Sequence, residues 1–149
     1  MSQESNPGAS VRTERVVSAR PGAVFAAFQE PDRLARWWGP KDFSNTFERF
    51  EFEEGGRWAF VMHGPNGADY PNECVFREIR TESRIVIEHV VKPWYMLTVT
   101  LTGRGDQTHL EWVQEFEGPE VASRMRTLVG AANEQVLDRL QALLAGEHP

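Results

Sequence analysis

The sequence predicts an α+β fold in which a curved antiparallel sheet wraps around one long C-terminal helix. Between residues 45 and 117, six segments show the alternation of apolar and polar residues that is typical of half-buried strands. The connections between these segments are of hairpin length, which favours an antiparallel meander. From residue 119 onward the apolar residues recur at helical spacing. A sheet and a helix that each carry one apolar face must then bury each other.

A first strand and two short helices are predicted before the meander. Valines among polar residues indicate a strand at residues 10–18. Pro21 suits the first turn of a short apolar helix that extends to Phe28. Pro31 begins a second short helix over residues 31–37, which a glycine-proline pair ends. We expect these two helices, which lie between strands 1 and 2, to close one end of the fold.

The strands of the meander are predicted from a period of two residues. Phenylalanines alternate with charged residues at 45–53, and a Gly-Gly turn then precedes the alternating Trp58, Phe60 and Met62. The remaining strands are predicted at residues 71–80, 83–91, 94–102 and 107–117.

The register of the strand at 71–80 stays open, because its apolar residues do not mark one face. If Arg77 pointed inward, it could bind a ligand carboxylate. If it pointed outward, it would form an ion pair with a neighbouring strand, and this is the interpretation that we favour.

The last element is predicted to be a long helix over residues 119–145. Pro119 suits its first position, and Glu120 suits the positive end of the helix dipole. One stripe of this helix is apolar except for a single polar residue, and it comprises Met125, Val129, Asn133 and Val136.

Length and composition predict a single domain over residues 10–149 after a flexible tail at residues 1–9. The net charge is −6 and the basic residues are spread along the chain, which argues against binding to duplex nucleic acid. No apolar run is long enough to span a bilayer, and the N-terminus lacks the pattern of a signal peptide. We therefore expect a cytoplasmic protein without membrane insertion.

Several kinds of site are not predicted. Cys74 is the single cysteine, which rules out an intrachain disulfide. No two histidines have the spacing of metal ligands, and the sequence contains neither a serine-nucleophile elbow nor a glycine-rich phosphate loop. We therefore predict no metal, no cofactor and no catalytic residue set. Whether any reaction is catalysed stays open at this point.

Short motifs along residues 10–145 resemble, in the same order, those of one superfamily. They lie at residues 19–25, 36–40, 55–58, 75–79 with 84–86, and 132–140. Together they resemble the START and birch-pollen-allergen superfamily, also called SRPBCC. Within it they are most similar to the branch related to the activator of the heat-shock-protein-90 ATPase. In the last helix, many members carry Gly-Trp where this chain has Ala132-Asn133.

The resemblance implies a helix-grip fold with a cavity between the sheet and the last helix. Known members of the superfamily bind lipids, sterols, plant hormones and polyketides, and some cyclise or dehydrate polyketides. The branch that this chain resembles has no shared catalytic set. The resemblance therefore implies a pocket and leaves the ligand unidentified. The departure at Ala132-Asn133 puts a polar residue where it could face the cavity.

Aromatic residues are the first candidates for ligand binding, because such residues line most apolar pockets. One of Trp37 and Trp38 could form a lid over the mouth of the cavity, while the other packs in the core. Inward-facing residues of strands 3 and 7 could line its wall, and these are Trp58, Phe60, Met62 and Trp112. The alternative is that these residues fill a solid core.

Polar residues on inward faces form a second group of candidates. Gln114 interrupts the apolar face of strand 7 as Asn133 interrupts the stripe of the last helix, so the two could share a polar patch or a bound ligand. His63 and His89 could reach the cavity from strands 3 and 5, although a structural histidine is the commoner case. The helix stripe adds two apolar candidates, Met125 and Val129.

The residues and the resemblance support three hypotheses for function. The leading one is binding of a small hydrophobic or amphipathic ligand between the sheet and the last helix. The alternatives are a co-chaperone-like interaction with a heat-shock ATPase and an enzyme of the polyketide cyclase or dehydratase type that uses His63, His89 or Tyr95. The oligomeric state stays open, since an exposed sheet edge or the outer wall of the helix could support a homodimer.

Overall fold

The structure, a computed structural model, describes residues 7–146. Its elements are β1 (Ser10–Val17), α1 (Pro21–Gln29), α2 (Pro31–Trp37), β2 (Ser44–Phe50), β3 (Arg57–His63), β4 (Asp69–Arg80), β5 (Arg84–His89), β6 (Tyr95–Arg104), β7 (Gln107–Glu115) and α3 (Pro119–Gly146). A 3-10 turn at Pro7–Ala9 precedes β1. Residues 1–6 of the predicted tail and residues 147–149 of the predicted domain lie outside the described part. The predicted α+β helix-grip arrangement is confirmed.

The strands form one antiparallel sheet in the order β1-β7-β6-β5-β4-β3-β2. From β2 to β7 each strand pairs with its neighbour in sequence, as hairpin connections require, whereas β1 pairs with β7. The edges of the sheet are therefore β1 and β2, and α1 and α2 connect them. Gln114 of β7 lies opposite Val11 on one side and Leu97 on the other, so three strands contribute to one transverse row.

The strand predicted at 45–53 ends earlier, at Phe50. The chain turns at this point, and the backbone N–H of Gly56 donates to the carbonyl oxygen of Glu53 at 2.8 Å. Phe52, although it follows the strand, still packs edge-on against Phe76 with ring centroids 5.1 Å apart. The apolar pattern of the sequence therefore marks burial here beyond the end of the strand.

A β-bulge between Phe76 and Glu78 settles the register of β4. Because a bulge inserts one extra residue, the alternation of faces changes at this position, which explains why the sequence pattern was ambiguous. Arg77 points away from the core and forms an ion pair with Glu88 of β5 at 2.7 Å. The outward interpretation of Arg77 is thus confirmed.

The long helix α3 packs against β1 and α2. Its buried residues are Ala122, Asn133, Val136, Leu137, Leu140 and Leu144. Within the described residues, no helix has both the length and the apolar character that crossing a membrane requires. The buried face of α3 is instead covered by the rest of the fold.

The two short helices are joined to each other and to the core through Trp37. Proline stands in the first turn of each helix, and Glu30 between them is extended. The indole N–H of Trp37 donates to the carbonyl oxygen of Ala27 at 3.0 Å, and the Trp37 side chain is fully buried. This contact satisfies the polar atom of a core tryptophan and fixes α2 against α1.

Candidate functional site

A cavity of about 140 Å³ lies between the sheet and α3, and we call it the central cavity. Three parts of the fold form its walls. The sheet contributes residues of β3, β6 and β7, α3 contributes one face between Val129 and Val136, and the α2–β2 loop (residues 38–43) contributes Trp38, Gly39 and Pro40. The sequence predicts a ligand cavity in the same region, between the sheet and the last helix.

Aromatic rings form much of the wall on the sheet side. Trp112 of β7 is 3% exposed, and its ring centroid lies 5.6 Å from that of Trp38 in the loop. Trp38 also packs edge-on against Trp58, with centroids 4.9 Å apart. These rings form one continuous cluster, so this wall is apolar.

One pair of amide side chains breaks the apolar lining. Asn133 of α3 and Gln114 of β7 both line the cavity, and they are 5% and 8% exposed. The Asn133 Nδ2 group donates to Gln114 Oε1 at 2.8 Å. The polar patch that the sequence suggested therefore exists, and it joins the helix to the sheet across the cavity wall.

The indole N–H of Trp112 has no hydrogen-bond acceptor among the described residues. A buried donor without an acceptor lowers the stability of the folded protein by about 1–3 kcal/mol, which is why such groups are rare. Trp112 stands two residues before Gln114 on the same face of β7, so the two side chains are neighbours in the cavity wall.

Tyr95 lines the cavity, and His89 packs behind it. The two rings stack with centroids 4.5 Å apart and planes 8° from parallel. His89 Nδ1 lies 2.8 Å from the carbonyl oxygen of Pro93, and Nε2 lies 2.5 Å from Asn72 Oδ1. Burial lowers the pKa of His89 and raises the pKa of the Tyr95 phenol, so burial favours the uncharged form of each group.

Arg139 of α3 holds the α2–β2 loop in place. Its Nη1 group donates to the carbonyl oxygens of Trp38, Gly39 and Pro40 at 3.2, 2.9 and 2.9 Å. Its Nη2 group donates to the carbonyl oxygen of Arg36 at 2.7 Å. A planar guanidinium can satisfy several carbonyl groups at once, and here they belong to the C-terminal end of α2 and the loop.

Gln135 adds a second contact between α3 and the same loop. Its Oε1 accepts from the backbone N–H of Lys41 at 3.0 Å. Gln135 and Arg139 are four residues apart and therefore lie on one face of α3. One helix thus supplies a wall of the cavity and also holds the neighbouring wall.

The central cavity brings together six of the predicted ligand-binding residues, which are Trp38, Met62, Trp112, Gln114, Val129 and Asn133. Trp37, Trp58 and Phe60 lie in the filled part of the core, with at most 2% exposure. Met125 packs against a smaller apolar cluster that contains Phe116.

The structure does not bring the two histidine candidates to the cavity wall. His63 lies on the outer face of β3, where Nε2 is 2.7 Å from Thr46 Oγ1 and Nδ1 is 2.8 Å from Asp69 Oδ1. His89 is buried, but Tyr95 separates it from the cavity. His63, His89 and Tyr95 therefore do not converge on one pocket, as an enzyme that used all three would need.

Sequence reasoning missed part of the lining. Leu97, Ala132 and Val136 line the cavity but are not among the predicted ligand-binding residues, although Leu97 and Val136 lie on the apolar faces that the periodicity marks. Tyr95 was considered as a catalytic group only. Gly39 and Pro40 carried a helix-stop signal, but nothing in the sequence showed that this loop would reach the cavity.

The lining contains no acidic or basic side chain among the described residues. The described residues also contain no cluster of histidine, cysteine and carboxylate groups that could hold a metal ion. Burial raises the pKa of the Cys74 thiol to about 12, so this side chain is a poor nucleophile. The arrangement is suited to holding an uncharged, mostly apolar molecule.

Solved structures from several bacteria share the fold of this chain. A protein from Arthrobacter aurescens, solved by NMR in solution, is 23% identical with a TM-score of 0.87, over 97% of this chain and 92% of that one. A crystal structure of a protein from Nitrosomonas europaea is 20% identical with a TM-score of 0.88, over 95% of this chain and 97% of that one. At these identities the likeness shows the fold.

The comparisons also identify the family. No curated protein matches the chain. A crystal structure of the AHSA1 protein from Silicibacter pomeroyi is 21% identical with a TM-score of 0.76, over 94% of this chain and 100% of that one. The family model described as "Activator of Hsp90 ATPase homolog 1-like protein" matches residues 18–145. The chain belongs to this family.

Proposed function

We propose that this protein binds a small hydrophobic or amphipathic molecule in the central cavity. The observation that carries the proposal is the space of about 140 Å³ between the sheet and α3, walled mainly by aromatic and aliphatic side chains. Most sites for small molecules are concave and apolar with a few polar groups, and the central cavity has this character.

The size of the cavity limits the ligand. An apolar cavity of roughly 150 Å³ in another protein holds one benzene molecule. With a volume of about 140 Å³, the central cavity accommodates a ligand with a single ring. A sterol or a long acyl chain would require α3 or the α2–β2 loop to move outward.

Filling the cavity tests the proposal. Ala132 lines the cavity and its neighbour Ala131 is exposed on the same helix, so Ala132→Phe and Ala131→Phe form a matched pair. We expect Ala132→Phe to lower the affinity for toluene at least about tenfold, because the added ring occupies the space in which toluene would be buried. Titration followed by NMR shifts of cavity residues measures the affinity.

Ala131→Phe is expected to keep the affinity of the natural sequence. The proposal would be contradicted if neither toluene nor a single-ring relative with a polar group gave shifts of cavity residues, or if both variants bound toluene equally well. Thermal melting of both variants shows whether each is folded, so that a loss of binding is not confused with unfolding.

The two alternative functions have weaker support. The family description mentions an ATPase activator, and a protein-interaction role would be favoured if the chain stimulated a purified heat-shock ATPase. Among the residues considered for catalysis, only Tyr95 lines the cavity, which does not favour a cyclase or dehydratase. A cytoplasmic location and a homodimer stay predictions.

A further inference from the structure

We infer that the ligand of the central cavity is uncharged and that its polar end is a hydrogen-bonding group, such as a carbonyl or a primary amide, seated against Gln114 and Asn133. This inference rests on the proposed binding function and names the chemical class of the ligand. It follows from the charge of the lining, from the unused hydrogen-bonding capacity of the two amides and from the unpaired indole of Trp112.

The charge of the lining excludes ionic ligands. Among the described residues, every lining side chain is apolar, aromatic, hydroxylic or an amide. Moving an isolated carboxylate or ammonium group into such surroundings is strongly unfavourable unless an opposite charge compensates it. Arg139 is the charged side chain behind the loop, but its Nη1 and Nη2 groups donate to backbone carbonyl oxygens. The guanidinium group of Arg139 is therefore occupied by hydrogen bonds to the backbone, and Arg139 does not line the cavity.

The amide pair has hydrogen-bonding capacity to spare. Each amide has one oxygen acceptor and two N–H donors, and within the described residues the pair makes one side-chain hydrogen bond. If both side-chain amides were turned by 180°, so that O and N exchanged places, one amide oxygen and several N–H groups would still lack a partner. Both side chains are more than nine-tenths buried, and a ligand or a water molecule in the cavity can pair with their remaining polar groups.

Trp112 provides an independent observation. Its indole N–H is buried without an acceptor, and its ring lines the cavity beside Gln114. The indole N–H and the remaining N–H groups of the two amides are donors without a partner among the described residues. A ligand whose polar end accepts hydrogen bonds can pair with such donors, whereas a hydrocarbon cannot.

Four probes of similar size test the inference, namely toluene, benzamide, benzoate and benzylamine. Each carries one ring, while the polar end is absent, neutral, anionic or cationic at neutral pH. We expect benzamide to bind about tenfold more tightly than benzoate and benzylamine. A tenfold difference in affinity is the size expected when a buried hydrogen bond is gained or a buried charge is left without a partner. Isothermal titration and NMR shifts report the affinities.

Replacing the amides by apolar side chains of similar size tests the assigned residues. In the double variant Gln114→Met/Asn133→Leu, we expect the ratio of benzamide to toluene affinity to fall about tenfold relative to the natural sequence, because the polar partner is lost. Trp112→Phe removes the indole donor and also part of the ring that forms the wall, and we expect it to lower the ratio of benzamide to toluene affinity. This single variant is the second test if the double variant does not fold.

The outcomes separate this inference from the proposed function. If toluene binds but benzoate binds as tightly as benzamide, or if the substitutions leave the affinity ratio unchanged, the inference is wrong while the binding function stands. If none of the four probes binds, the proposed function fails, and the inference fails with it.

Discussion

Gly39 is the residue on which the shape of the α2–β2 loop depends most directly. Its φ is +97°, a backbone conformation that residues with a Cβ rarely adopt. A Cβ at this position would lie 2.8 Å from Met62 Cε, and both residues line the central cavity. The absence of a side chain thus permits the turn and also the close approach of the loop to β3.

Gly39→Ala is therefore expected to reduce stability by about 1–3 kcal/mol, mainly through backbone strain, since the flexible end of Met62 can move aside. The measurement is urea unfolding, read by tryptophan fluorescence. Gly130→Ala in α3 is the control, because a Cβ there meets nothing within 4 Å and the residue is helical. Alanine in a helix is expected to add about 0.5–1 kcal/mol of stability. Equal effects at both positions would contradict this account of Gly39.

The outward orientation of His63 follows from the sequence alone. Met62 and His63 are neighbours on one strand, so an inward Met62 requires an outward His63. His89, in phase with Ile85 and Ile87, was expected on the inner face and is buried there. That Tyr95 stands between His89 and the cavity depends on how β5 and β6 pair, which no single strand reveals.

At the scale of elements, α3 both lines the central cavity and holds its neighbouring wall. Arg139 and Gln135 bind backbone groups of the α2–β2 loop, and Asn133, less than two turns away, lines the cavity. A displacement of α3 would therefore change the cavity and loosen the loop together.

Arg139→Lys tests this connection. The charge is kept, but a lysine ammonium cannot reproduce the planar arrangement of donors that contacts four carbonyl oxygens. We expect stability to fall by about 1–3 kcal/mol and the backbone amide of Lys41 to exchange its hydrogen faster. Hydrogen exchange followed by NMR provides the measurement.

Arg124→Lys on the exposed face of α3 is the matched control, and a change within about 0.5 kcal/mol is expected for it. If Arg139→Lys left the exchange of the Lys41 amide unchanged, the loop would be held by other contacts. If both variants slowed or accelerated exchange equally, the effect would belong to the helix in general.

The sequence predicted the elements well because their patterns are local. The helix over 31–37 has the predicted bounds, since a proline begins it and a glycine-proline pair follows it. The contact of Arg139 with the loop was not predictable, because its acceptors are backbone carbonyl groups about 100 residues earlier and carry no side-chain signature.

At the scale of the whole molecule, buried His89 links stability to pH. Burial lowers its pKa below the ordinary value of 6.5, so between these two values the unfolded chain binds more protons at this site than the folded chain. Its contribution to stability is therefore fully present above pH 6.5 and is lost as the pH falls through the lowered folded value.

The free energy of unfolding, measured at pH values on both sides of 6.5, should decrease toward acid more steeply in the natural sequence than in His89→Gln. The difference between the two curves isolates this residue. The Glu88 carboxyl, whose pKa is lowered from 4.5 mainly by the hydrogen bond from Trp94, has its effect at lower pH. Parallel curves for the two proteins would show that His89 is accessible to protons in the folded state.

The sequence by itself determined the class of fold, the order of the elements and the inward faces of the strands other than β4, because periodicity, prolines and glycines act over a few residues. Only the tertiary structure decided which inward residues fill the core and which leave a space. Trp58 and Trp112 each lie on the apolar face of an alternating strand, yet Trp58 is enclosed by other rings while Trp112 borders the central cavity. The reason is physical: an empty volume is set by how three separate walls fit together.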